Sequence, residues 1–306
     1  MIIMSFKKKL ISVVRRTTII LGCLSVLLIL SLTEVRPAVK IDTTTSLKVM
    51  TFNLRFDNPE DGKQNWKYRK DQVADLIRSK AVDLVGTQEV LKNQLDDLLS
   101  RLPDYSYVGV GRTDGQTAGE YSAILYQKKR WQLLTSGNFW LSEAPELPGS
   151  RGWDAACERI VTWALLEEKE SGFRLALFNT HFDHVGQTAR KESAQLLLER
   201  IRAIAGTLPV IVTGDFNATL EAEPLRIILG SGFLIDSRKE ARQVHGPAWS
   251  FHGFGQVPEP ERPLIDHIFV SRPFQVEEYR NIFEVLGGVY YSDHNPVLVV
   301  LKINVK

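Results

Sequence analysis

Six short polar motifs are strung along the chain, each at the end of an apolar run. They are Thr51-Phe52-Asn53-Leu54, Thr87-Gln88-Glu89-Val90, Asn179-Thr180-His181-Phe182-Asp183-His184, Gly214-Asp215-Phe216-Asn217, Ile265-Asp266-His267-Ile268 and Ser292-Asp293-His294-Asn295-Pro296. Carboxylate, amide and imidazole groups at strand ends match the needs of metal-assisted phosphoester hydrolysis. A hard cation takes carboxylates, a phosphate needs neutral or cationic donors, and an attacking water needs a base.

Alone, each motif has a plain structural explanation, so the argument rests on the pairs they form. Asn53 and Glu89 close the first two strands and would set an amide beside a carboxylate, ready for one Mg2+. Gly214-Asp215 could be an ordinary turn, but Asp215 and Asn217 are two residues apart and so point to one side. Asp266 and His294 make an acid/base pair, in which the carboxylate fixes the imidazole tautomer and raises its basicity. Arg159 begins a strand, where a phosphate clamp and a solvated strand-end charge are equally good readings. Trp66, Trp140, Trp153 and Trp249 suit packing better than base stacking.

One motif points elsewhere. Asn179-Thr-His181-Phe-Asp183-His184 nearly matches H-x-H-x-D-H, a two-zinc signature, with Asn179 in place of the first histidine. A lost ligand weakens zinc binding badly, and zinc would leave Glu89, Asp215, Asn217 and Asp266 without roles.

These residues need strand ends to stand on, and the hydrophobic pattern supplies them. Strands are expected over 47–56, 82–88, 105–110, 122–127, 160–167, 173–180, 208–213, 264–271 and 297–303. Helices are expected over 68–80, 92–102, 187–205 and, briefly, 224–229, with 230–263 as loop. The strands are too continuously apolar for a sheet exposed on one face, which favours two packed sheets with outer helices in a single domain, 47–306.

The N-terminus has a different character. Lys7, Lys8, Lys9, Arg15 and Arg16 precede an uncharged apolar run, Thr17–Leu32. Residues 1–33 therefore read as an export signal or signal anchor, with a Thr-rich linker over 34–46. The expected location is periplasmic or extracellular, with membrane contact through the N-terminal segment. Subtracting its five basic residues from 38 leaves 33 Lys and Arg against 36 Asp and Glu, so the remainder is acidic by three charges. That disfavours tight non-specific binding of duplex nucleic acid. Of two cysteines, Cys23 lies in the apolar run, and Cys157 alone can form neither a disulfide within the domain nor a thiolate metal site.

Asn53, Gln88-Glu89, Asn179-Thr-His181, Gly214-Asp215-Phe-Asn217, Asp266 and Ser292-Asp293-His294 stand in the order of the endonuclease/exonuclease/phosphatase family, which the chain resembles over about residues 47–303. The resemblance implies a four-layer α/β sandwich, αββα, with Mg2+, or Mn2+ in its place, at the rim of the two sheets. It implies Glu89 as a metal ligand with Asn53 and Asp293 nearby, and Asp215 and Asn217 activating and orienting the water. Asp266 would support His294 on the phosphate, and His181 would bond a phosphate oxygen or assist the leaving group. Asn179 and Arg159 would lie on the substrate side. The abasic-site enzymes of the family carry Tyr where His181 stands, and export also disfavours DNA repair. The expected activity is a nuclease-type phosphodiesterase on a small or single-stranded substrate, ranked ahead of a phosphomonoesterase on sugar or lipid head groups. The protein is expected to act as a monomer. A non-catalytic envelope binding module would have lost a catalytic residue, and none is missing.

Overall fold

The computed structural model describes residues 44–304, so the expected export segment and most of the expected linker lie outside the described residues. In chain order the main elements are β1 (Thr44–Asn53), α1 (Trp66–Ser79), β2 (Leu84–Gln88), α2 (Lys92–Arg101), β3 (Tyr105–Val108), β4 (Ile124–Gln127), β5 (Trp131–Trp140) and β6 (Ile160–Glu168). Then come β7 (Arg174–His181), α3 (Gln187–Ala205), β8 (Val210–Asp215), α4 (Glu223–Gly230), β9 (Leu234–Asp236) and β10 (Gln243–His245). The last are β11 (Asp266–Ser271), β12 (Gln275–Asn281), the small hairpin β13 (Val285–Leu286) and β14 (Val289–Tyr290), and β15 (Val297–Asn304).

Two mixed sheets form the centre. One has the order β10-β12-β15-β1-β2-β4-β3, the other β5-β6-β7-β8-β11-β9. Strand alternation explains the layering. Leu47 and Val49 of β1 face Leu175, Leu177, Ile211 and Ile268 of the second sheet, while Met50 and Phe52 face Val73, Ile77 and Leu95 of α1 and α2. On the other side, Phe178, Val210 and Val212 pack against Leu197, Ile201 and Leu225 of α3 and α4. Each central strand is thus apolar on both faces, and the result is the expected four-layer sandwich.

Two of the longer strands escaped the hydrophobic pattern. β5 is an edge strand with an exposed middle and a register shift between Leu133 and Thr135. β12 is mostly polar, burying Val276 and Tyr279 around a shift between Val276 and Glu278. A bulge breaks the period of two, which is the signal that sequence reading depends on. The expected linker also ended late, since β1 begins at Thr44. The expected loop over 230–263 holds β9, β10 and one helical turn at Ser237–Glu240.

Register brings the chemistry to one rim. Asn53 and Gln88 are paired at the ends of β1 and β2, and His181 and Asp215 at the ends of β7 and β8. Asp266 starts β11 opposite Asp215, and Arg159 and His294 come just before β6 and β15.

Candidate active site

A cavity of about 660 Å3 opens at this rim. Its lining holds an acidic group, Glu89, Asp215, Asn217, Asp293 and His294, and an arginine-bearing group, Arg112, Glu120, Cys157, Arg159 and His184, which meet where Glu89 and His181 border Arg112, Glu120 and Arg159. Glu89 (φ 59°) and Asn217 (φ 47°), like Arg55 (φ 55°) on the same wall, hold backbone conformations that favour glycine. Left-handed backbone at a side chain of this size costs free energy, and it turns Glu89 and Asn217 away from the strands they follow and into the cleft.

Asn53 organises the acidic group. Its Nδ2 donates to Glu89 Oε1 at 3.0 Å and to Asp215 Oδ2 at 2.9 Å, while its Oδ1 accepts from the Arg55 backbone N–H at 2.9 Å. That last bond fixes the amide orientation. An NH2 group offers no lone pair to a cation, so Asn53 positions the carboxylates and is not itself the expected metal ligand. Arg69, fully buried, braces the same loop by donating to the carbonyls of Gln64, Leu54, Arg55 and Tyr291.

His294 Nδ1 lies 2.8 Å from Asp266 Oδ2, and its Nε2 lies 3.7 Å from Asp215 Oδ2. Burial alone would discharge this imidazole, but Asp266 and Asp215 hold its pKa well above the ordinary value. Asp215 is pushed up to about 7 by burial and by the neighbouring Asp266 charge. Burial also raises the Asp293 pKa, with Glu89 adding to it. One oxygen or nitrogen from each of Glu89, Asp215 and His294 lies within 4.8 Å of the others. While Asp266 takes the His294 Nδ1, Glu89, Asp215 and Asp293 line the cavity as an oxygen donor set. Such a set fits a hard cation such as Mg2+ or Mn2+.

His181 is the opposite case. Burial, then Arg159 and Arg112, push its pKa well below the ordinary value. Asn217 Nδ2 donates to the Phe182 carbonyl at 2.9 Å and sits 3.1 Å from His181 Nε2. The first bond orients the amide, so Nε2 accepts and the ring proton resides on Nδ1, which is buried without a partner. His181 is therefore poorly set to donate from Nε2 to phosphate, as had been expected of it. It orients Asn217 instead.

Asn179 is not brought to the cavity. It lies between the sheets, where Nδ2 donates to the Thr87 and Ala123 carbonyls and Oδ1 accepts from Gln88 Nε2 and Thr213 Oγ1. With its hydrogen-bonding capacity spent on the protein, it cannot serve the expected substrate contact. A β-carbon at Gly86 would strike Thr213 Oγ1 and Asn179 Oδ1, so glycine is needed where the sheets approach.

The zinc-like motif is likewise pulled apart. Asn179 is between the sheets and His181 faces Asn217, while Asp183 and His184 turn towards Arg159. Cys157, Asp183 and His184 do place ligand atoms within 4.8 Å of one another. The Arg159 guanidinium already lies against two of them, and it opposes a second cation there.

Arg112, Glu120 and His184 had been given no role from the sequence. The Arg112–Glu120 pair is bidentate, at 2.6 and 2.9 Å, and closes a glycine-rich loop. Nothing in an eight-residue spacing across such a loop announces the pairing. Trp66, Trp140 and Trp249 are buried, in line with their packing role, while Trp153 is half-buried.

The model of a family described as Endonuclease/Exonuclease/phosphatase matches residues 50–294. A structure of an endonuclease/exonuclease/phosphatase from Bacteroides vulgatus is 43% identical, with a TM-score of 0.82 over 84% of this chain and 99% of that one. A mannosyl-6-phosphatase from Bacteroides thetaiotaomicron is 37% identical, with a TM-score of 0.78 over 83% and 99%. Among curated proteins, the CCR4-Not complex 3'-5'-exoribonuclease subunit Ccr4 of Mycosarcoma maydis is 23% identical over 58% of this chain, and the chain spans 35% of that protein.

Proposed function

The chain belongs to the endonuclease/exonuclease/phosphatase family and is a phosphoester hydrolase, and from that premise we propose that it is a Mg2+-dependent phosphomonoesterase acting on a small sugar phosphate. The observation that carries this reading is the cavity: about 660 Å3, with Arg112, Glu120, Cys157, Arg159 and His184 in its lining. That volume is in the range of small-molecule sites. A compact site suits one phosphate and a few polar carbons better than a long polymer. The likeness to the mannosyl-6-phosphatase supports the same choice.

This reverses the order expected from sequence, where a nuclease-type phosphodiesterase came first. The diesterase keeps one specific support, the similarity to Ccr4 exoribonuclease subunits, at 23% and 26% identity. The basic and apolar N-terminal segment supports export, and hence a substrate met outside the cytoplasm.

Glu89, Asp215 and Asp293 would hold the divalent cation, which when bound supplies positive charge to the phosphoryl oxygens. The protein's own groups do the rest. The His294 imidazolium, locked by Asp266, presents Nε2 to a phosphate oxygen as negative charge builds on it. Asp215, kept ionised by the cation beside it, takes a proton from the attacking water. Asn217 commits its NH2 to His181 and Phe182, which leaves its Oδ1 to accept from that water.

The test is phosphate release by the purified protein from hexose 6-phosphates, bis-p-nitrophenyl phosphate and short single-stranded RNA or DNA, each with Mg2+, Mn2+ or EDTA. Metal-dependent release from hexose phosphates with little diester cleavage is expected. Oligonucleotide cleavage without monoester turnover would return the protein to the nuclease branch.

A further inference from the structure

Beside the acidic cluster the cavity wall carries a second built group, to which the hydrolytic steps above give no role. Arg159 Nη2 lies 2.9 Å from His184 Nδ1 and its Nε lies 3.4 Å from Asp183 Oδ2. Asp183 is held in turn by the backbone N–H groups of Ala156, Val185 and Gly186. Arginine can only donate, so His184 Nδ1 is the accepting nitrogen and the ring proton is on Nε2. The ring is thus fixed by a buried scaffold while its side chain remains 56% exposed at the cavity wall.

The charges here are balanced. Arg112 is matched bidentately by Glu120, and Arg159 meets Asp183 through its Nε alone, at 3.4 Å. A subsite for a second phosphate would leave a guanidinium free for it. Paired guanidinium and carboxylate groups instead offer directed donors and acceptors without net charge, which suits neutral hydroxyls. We propose that His184, oriented by Arg159, is a specificity-determining residue whose Nε2–H donates to a hydroxyl of the substrate's neutral polyol moiety. The assignment rests on the monoesterase reading above and narrows it to polyol phosphates with a single phosphate.

The test compares kcat/KM of the wild type, His184→Ala and His184→Gln on a hexose 6-phosphate, a hexose 1,6-bisphosphate and p-nitrophenyl phosphate. In His184→Ala the ratio of hexose 6-phosphate to p-nitrophenyl phosphate should fall about tenfold, the scale of one hydrogen bond, and mainly through KM. His184→Gln, whose amide can both accept from Arg159 and donate onward, should recover part of the ratio. Wild-type enzyme should favour the monophosphate over the bisphosphate. A ratio within twofold of wild type in His184→Ala, or a preference for the bisphosphate, would overturn the proposal while leaving the monoesterase reading intact. If the wild type releases no phosphate from any hexose phosphate, the monoesterase reading fails, and the proposal with it.

Discussion

The cavity fixes two histidines on either side of Asp215, by opposite means. In the acidic group, His294 is surrounded by Asp266, Asp215 and Asp293, which together overcome burial and keep it charged. His181, 3.1 Å from Asn217 and 3.5 Å from Asp215, is the contrary case: Arg159 and Arg112 add to burial and keep it neutral. Each ring is buried, so the sign of the neighbouring charges decides what burial leaves open. The charged histidine is the one proposed to face the phosphate. The neutral one holds the amide of Asn217 through an accepted hydrogen bond.

The largest break in this comparison is His294→Ala. Losing the locked imidazolium should lower kcat by about 10^3-fold or more, the scale of a positioned electrostatic donor, while thermal unfolding still shows a folded domain. A second variant, Asp215→Asn, should be similarly inactive. Wild-type-like turnover in either would dissolve the assigned roles.

Asn179→Ala probes the seam between the sheets. Buried carbonyls at Thr87 and Ala123 would lose their donors, costing about 2 to 3 kcal/mol of stability in urea unfolding. KM at a temperature where the variant remains folded should stay near wild type. A raised KM with unchanged stability would restore the substrate contact expected from the sequence.

Activity against pH sharpens the acidic group. Asp215 must be ionised to act as base, and its pKa is raised to about 7. Turnover should therefore fall about tenfold per pH unit as pH drops below that value. Raising Mg2+ should move the limb to lower pH, because a nearby cation favours the carboxylate. A limb that ignores metal concentration would argue against Asp215 as part of the cation site.

The smallest effect belongs to Asp183. Burial opposes its ionisation, but the N–H groups of Gly186, Val185 and Ala156 hold its pKa at about 2. A depressed pKa gives stability that is present above the ordinary carboxylate value and lost as pH falls through about 2. Asp183→Asn should remove about 1 to 2 kcal/mol at neutral pH, allowing for solvent screening. It should also flatten the fall in Tm between pH 4 and 2. An unchanged acid profile would mean that the Asp183 loop is not what fixes His184.

By itself the sequence determined the layers and the rim. Strands such as 208–213, apolar on both faces, can only be buried between other layers, and the polar residues that end them can only gather where the strands stop. Asp266 with His294, and Asn53 with Glu89, were legible for that reason. Only the tertiary structure decided which way each amide faces and which charges meet. Asn53 and Asn179 are the same residue type at two strand ends, yet one steers carboxylates in the cleft and the other joins the two sheets. Arg112 meets Glu120, and Arg159 meets His184, across loops whose closure no periodicity records. Hydrophobic pattern is a property of neighbours along the chain, whereas hydrogen-bond orientation and pKa depend on neighbours in space.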